Sequence, residues 1–162
     1  MDDSELIARH PPLTPTACLV WTAVVDVAER RDLGEGPGGR RFLVPIVGGR
    51  FYPGEGMDGP GGVVLPGGAD RQLLRADGVK ELDALYAMRT DDGTTISIRN
   101  RGIVDETRKP VRYAMSVISA TVREGALAWL NRRLLIGTLQ SARPERQAVI
   151  VRAWLADAPV ER

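Results

Sequence analysis

Short apolar alternations recur along the chain, each broken by Gly, Pro or an Asp-Gly step, while helical periodicity is weak almost everywhere. That punctuation predicts an all-β domain. Cys18 to Val27 sets Leu19, Trp21, Ala23 and Val25 on one face against Val20, Thr22, Val24 and Asp26 on the other, and reads as a long first strand. A loop follows. Arg40 to Phe51 is the second strand, with Pro45 marking an edge or bulge and Gly48-Gly49 a sharp bend. Gly62 to Pro66 and Gln72 to Arg75 are short strands around the Pro66-Gly67-Gly68 turn. Lys80 to Thr90 and Thr94 to Gly102 flank Asp91-Asp92-Gly93, the best hairpin signal in the chain because its Asp-Gly step tolerates positive φ. Tyr113 to Val122, Leu134 to Gln140 and Gln147 to Leu155 complete the set.

The pattern predicts a single antiparallel β-barrel of about eight to ten strands over residues 16–157, its closure left open and an open two-sheet sandwich standing as the alternative. Residues 1–15 read as an N-terminal tail with a short helical turn over Asp3 to Arg9, stopped by Pro11, Pro12 and Pro15; residues 158–162 read as a C-terminal tail.

Composition narrows the function classes. The 162 residues fit one ordinary domain, and 22 basic against 21 acidic side chains give no electrostatic bias towards nucleic acid or an anionic membrane. The lone Cys18 excludes an internal disulfide framework; no secretory signal pattern or long apolar run appears, so a cytoplasmic protein is expected. His10, the one histidine, lies in the Pro-flanked tail, which argues against His-based metal sites and nucleophile triads. No metal and no cofactor are expected. With only Lys80 and Lys109, both beside polar or turn-like sequence, a Schiff-base lysine is not expected either. Two matches to G-x-G-x-x-G, at Gly34-Gly36-Gly39 and Gly54-Gly56-Gly59, lack the strand-to-helix context that a dinucleotide fingerprint needs, and read as loops.

The candidate chemistry lies on strands. Asp70 and Gln72 share a parity, as do Glu81 and Asp83, so each pair projects from one face. A carboxylate inside an apolar barrel has its pKa raised by desolvation and becomes a candidate general acid or base, which singles out Asp70 and Asp83. The structural alternative is that Asp70 caps its turn and Asp83 pairs with an arginine across the sheet. Arg99, Asn100 and Arg101 place two basic groups on one face and an amide on the other, and an inward Arg101 would clamp a carboxylate or phenolate. Tyr86 and Tyr113 are candidate donors to an enolate or carbonyl oxygen, and Trp129 and Asn131 offer an apolar wall and an orienting amide.

Six ordered segments carry a family resemblance: Gly48-Gly49-Arg50-Phe51; Leu65-Pro66-Gly67-Gly68-Ala69-Asp70 with Gln72; Asp77-Gly78 with Glu81-Leu82-Asp83-Ala84; Arg89-Thr90-Asp91-Asp92-Gly93; Arg99-Asn100-Arg101-Gly102; and Trp129-Leu130-Asn131. Over residues 19–155 the chain resembles the domain of unknown function three-two-three-seven, a family of uncharacterised small proteins that look like allene oxide cyclase-type or calycin-like barrels. The resemblance implies a closed barrel with a central cavity; related barrels include cofactor-free cyclases. One departure follows Tyr113, where the family usually carries an aromatic, an Arg and a hydroxyl residue, then a Phe-Glu pair. Ala114, Met115, Ser116, Ala120 and Thr121 stand there instead, which implies a different ligand or a specialised member and makes Met115 a candidate lining residue.

The expected function is a cofactor-independent isomerase or cyclase acting on a small, partly apolar, secondary-metabolite-like molecule. Asp70, Asp83 and Tyr113 are its expected catalytic groups; Gln72, Tyr86, Arg101, Met115, Trp129 and Asn131 its expected substrate contacts. A noncatalytic small-molecule carrier is the alternative, followed by a lactone or ester hydrolase using carboxylate-activated water. A small-molecule ligand is the expected partner. Oligomeric state is open, and small barrels with apolar outer faces often associate.

Overall fold

The structure, a computed structural model, describes residues 1–58 and 61–159. After a short helix, α1 (Asp3–Arg9), the chain forms ten strands: β1 (Thr16–Val27), β2 (Arg31–Gly36), β3 (Gly39–Pro53), β4 (Gly62–Val64), β5 (Ala69–Arg75), β6 (Lys80–Thr90), β7 (Thr95–Asp105), β8 (Tyr113–Val122), β9 (Leu135–Ser141) and β10 (Ala148–Asp157). A short 3-10 helix, Ala128–Arg132, separates β8 from β9.

The ladder runs β1-β10-β9-β8-β7-β6-β4-β3 and closes because β3 also pairs with β1, every pairing being antiparallel. Closure therefore takes eight staves. The two further strands extend staves already present: β2 continues along β3 beyond β1, and β5 continues between β3 and β6 beyond β4.

The residue that arranges this exchange is Pro45. β3 is 15 residues long, and its first half pairs with β2 and β5, its second with β1 and β4. Pro45 stands between the halves and has no N–H to give the ladder; its carbonyl accepts from Ala28 N at 2.9 Å, where β1 gives way to the loop before β2. The expected Gly48-Gly49 bend is present. Gly49 has φ +132°, and a Cβ there would stand 2.0 Å from the Val24 carbonyl oxygen, so β1 and β3 approach closely only because that position is glycine. The Asp91-Asp92-Gly93 hairpin also forms, with Gly93 at φ +92° and Thr90 N donating to the Thr94 carbonyl at 2.9 Å.

Burial alternates along the staves, but each changes character along the barrel axis. At one end Trp21, Phe51, Met88, Ile96, Leu130 and Leu135 are essentially inaccessible and form a packed plug, with Trp21 and Phe51 edge to face at 6.5 Å between centroids. Towards the other end the inward positions become smaller or polar: Ala84 and Tyr86 on β6, Asn100 on β7, Ser141 on β9. The barrel is solid at one end and hollow at the other.

The strand expectations hold closely, with β6 and β8 matching at both ends. β2 is the exception. Expected as loop, Arg31–Gly36 lacks alternating apolar residues because it hangs off the outer part of β3 with little to bury. Its order comes from the β3 ladder and from Asp32, which accepts from Gly34 N at 2.8 Å and from Arg40.

Candidate functional site

The hollow end holds a cavity of about 750 Å³, open at one mouth. Volumes of this order suit a small organic ligand. Its apolar wall comes from alternate residues of β1, β3 and β10, including Val25, Ile46, Val149 and Val151. Its polar groups come from β5, β6 and β7.

Asp70 is the carboxylate inside. It stands on β5 opposite Ala84 of β6, and its carboxyl accepts from Gln72 Nε2 at 2.8 Å and from the Asp83 backbone N at 3.0 Å. Burial pushes its pKa above the ordinary carboxylate value, with those two hydrogen bonds opposing the shift only in part. Gln72 shares the inward parity, as expected. Tyr86 lies two positions beyond Ala84 on β6, and its hydroxyl, buried near Asp70, has its ionisation disfavoured first by burial and then by that carboxylate. Neither the Tyr86 hydroxyl nor Asn100 Oδ1 has a hydrogen-bond partner among the described residues, although both atoms are buried. The cavity wall thus carries a buried carboxyl and two polar groups free to meet a guest.

Several sequence-derived candidates lie elsewhere. Asp83, expected inside the barrel, projects outward and meets Arg99 Nη2 at 3.0 Å, the cross-sheet pairing that was its structural alternative. The reason is parity: Leu82, Ala84, Tyr86 and Met88 take the interior of β6, leaving Asp83 outside. Arg101 is exposed on the outer face of β7, where Ile96, Ile98 and Asn100 point inward. Tyr113 is 53% exposed on β8, and Met115 shares its outward parity; both line a shallow external groove with Arg152 and Trp154. Trp129 packs half-buried against the plugged end, remote from the mouth. Asn131 ties the 3-10 helix to the end of β8, its Oδ1 accepting from Val122 N at 2.9 Å and its Nδ2 donating to Val122 O at 2.8 Å.

Two consequences can be measured. Asn131→Ala removes both bonds and is expected to lower unfolding free energy by about 1–3 kcal/mol in a denaturant titration, without altering ligand binding. Asp83→Asn is expected to leave the melting temperature near neutral pH almost unchanged, because exposed pairs contribute little. The Arg99 guanidinium holds the Asp83 carboxyl below its usual value, so its small contribution is present above that value and is lost as pH falls through the folded one.

Groups outside the sequence-derived set also surround the cavity. Glu29, Arg30, Lys80, Arg112 and Arg143 stand around its mouth. Lys80 could have been found by extending the inward parity of Leu82 and Ala84 back by one step; the others lie in connections, where periodicity carries no information. No group of three or more metal-ligating side chains occurs among the described residues, and no described helix is long and apolar enough to cross a membrane. Of the second glycine-rich match, Gly59 lies outside the described residues; the first sits in the β2–β3 hairpin, where no helix follows.

The class this defines is a closed β-barrel, plugged at one end, with a polar-lined interior cavity at the other. The chain belongs to the family described as "Protein of unknown function (DUF3237)", whose profile matches residues 15–156. A UPF0311 protein from Rhodopseudomonas palustris strain TIE-1 is 40% identical over 93 residues, covering 56% of this chain and 58% of that relative, so the match spans just over half the relative's length. Among solved structures, a conserved protein of unknown function from Rhodopseudomonas palustris is 29% identical with a TM-score of 0.79, over 91% of this chain and 100% of that one. An enzyme from Penicillium herquei shares the fold at 20% identity, with a TM-score of 0.68 over 91% of this chain and 98% of that one.

Proposed function

We propose that the barrel takes a small, partly apolar molecule into its hollow end and isomerises or cyclises it without a cofactor. The observation that carries this reading is the Asp70 carboxyl, desolvated on a cavity wall that also carries the unpartnered Tyr86 hydroxyl and Asn100 Oδ1. A carboxylate whose basicity is raised by burial removes a proton next to a carbonyl more readily than a solvated one. The electron pair released moves onto the carbonyl oxygen, where Tyr86 donates a hydrogen bond and the Asn100 amide orients the group. Asp70 then returns the proton at another carbon, or the enolate adds to an electrophilic carbonyl carbon of the same molecule, folded against it by the apolar wall, and Asp70 gives the proton to the alkoxide so formed. Gln72 positions Asp70 throughout. Asp83, Arg101, Tyr113 and Met115, being outside, have no part in this scheme.

A test needs no knowledge of the natural substrate. 2-Tetralone, an enolisable ketone small enough for the cavity, exchanges its α-protons in D2O, and proton NMR follows their loss. The protein is expected to accelerate exchange, Asp83→Asn to retain the acceleration and Asp70→Asn to lose it. Equal acceleration by wild type and Asp70→Asn would remove Asp70 from the chemistry. Binding of 2-tetralone with no acceleration by wild type would support the noncatalytic carrier.

A further inference from the structure

We infer that the molecule this cavity accepts is an organic anion, an apolar skeleton bearing a carboxylate or phenolate, held at the mouth by Arg30, Lys80 and Arg143 with Arg112 beside them. The inference rests on the proposed small-molecule role of the cavity and names the class of ligand.

Three connections and the first residue of a strand each place one cation on the cavity wall: Arg30 between β1 and β2, Lys80 at the start of β6, Arg112 just before β8, and Arg143 between β9 and β10. In a chain of formal charge +1, this convergence from separate segments is local. Among the described residues, Glu29 is the one acidic residue at the rim that lines the cavity, and Asp70 lies deeper on the wall.

Several arginines elsewhere on the barrel are already matched. Arg40, Arg50, Arg75, Arg99 and Arg146 each pair with a carboxylate. Arg30, Lys80 and Arg143 form no ion pair with any described residue, and Arg112 alone of the four is engaged, its Nε on Glu106 at 3.0 Å and its Nη1 on the Leu139 carbonyl at 2.8 Å. Arg30 is held over the Phe42 ring at 4.1 Å, which restrains its guanidinium while leaving its N–H edge free. Lys80 is half-buried, and burial together with the charges of Arg30 and Arg112 disfavours its protonated form against the pull of Glu106 and Asp70. Unmatched like charges crowded around a hollow raise one another's energy, and an incoming anion relieves that repulsion. Beneath them lie Val25, Val149 and Val151, which suit a skeleton rather than a bare ion. An anionic guest anchored at the mouth extends inward towards Asp70.

The test uses two dyes of one skeleton: 8-anilinonaphthalene-1-sulfonate and its uncharged counterpart N-phenyl-1-naphthylamine. Fluorescence titration of the full chain is expected to show saturable binding of one sulfonate dye per chain, about tenfold or more tighter than the neutral dye. In Arg30→Gln/Lys80→Gln that preference is expected to fall to near parity, with neutral-dye affinity unchanged; Arg99→Gln/Arg101→Gln, on the outer face, is expected to retain it. Arg143→Gln, exposed in a connection and outside any packed core, is expected to reduce the preference in part, which keeps the test decisive if the double variant fails to fold. Inorganic phosphate at millimolar concentration is expected to leave the dye bound, and its displacement there would replace the inference with a free-phosphate site. Equal affinity for the two dyes in wild type, or a preference that survives in the mouth variants, would overturn the inference while leaving the cavity-binding reading intact. Failure of both dyes to bind would overturn the two together.

Discussion

Asp70→Asn is expected to slow proton exchange from a bound enolisable ketone by about 10²–10⁴-fold while making the protein more stable at neutral pH. The two effects have one cause. Burial raises the pKa of Asp70 in the folded state, so folding favours its protonated form. The stabilising contribution of the neutral carboxyl is complete below the unfolded value of 3.8 and is lost as pH rises through the raised, folded value. Above that pH the fold carries a desolvated charge. Asparagine removes the charge, keeps an acceptor for the Asp83 N–H, and can exchange a hydrogen bond with the Gln72 amide once that amide turns over. A gain of about 1 kcal/mol, or about 2–4 °C in melting temperature, is the scale seen when a strained functional group is relieved. The gain should vanish in melts run below pH 4. A variant that loses exchange and loses stability at neutral pH would show instead that Asp70 is a structural hydrogen-bond acceptor.

Trp21→Ala is expected to cost about 3–5 kcal/mol, a large share of the roughly 5–15 kcal/mol that holds a domain of this size folded. Trp21 is wholly inaccessible, contacts Phe51 edge to face, and belongs to the plug that closes one end of the barrel. Removing it leaves a hole that rigid staves on several sides cannot collapse to fill. The melting temperature should fall by about 10 °C or more. Trp21→Phe should cost much less, because it keeps an aromatic face for Phe51 and deletes an indole N–H that has no partner among the described residues. If Trp21→Ala melts within a few degrees of wild type, the plug is not packed as described.

The fold was legible in the sequence because each stave alternates and because Gly, Pro and Asp-Gly mark its turns. Closure and the split pairing of β3 were not, since they depend on partners far apart in the chain; Pro45 signalled an irregularity without saying that four strands exchange around it. For the site, the parity of β6, β7 and β8 already contained the outcome. Leu82, Ala84, Tyr86 and Met88 outnumber the apolar residues of the opposite set, so Asp83 belongs outside; Ile96 and Ile98 place Asn100 inside and Arg101 outside; Ile118, Ala120 and Val122 send Tyr113 and Met115 out. Weighing residues by chemical reactivity rather than by the face they share obscured this. Three cations of the mouth were illegible for a different reason, because Arg30, Arg112 and Arg143 lie in connections, which have no period, and only the closed barrel brings them to Lys80.

The central claim is that the ligand enters the hollow end of the barrel, and intermolecular nuclear Overhauser effects from bound 8-anilinonaphthalene-1-sulfonate to assigned valine and isoleucine methyls test it most directly. The predicted result is contact with Val25, Ile46, Val149 and Val151 on the cavity wall. Contacts confined to outward methyls such as Val47, Val117 or Ile103, or to Met115 in the external groove, would contradict it.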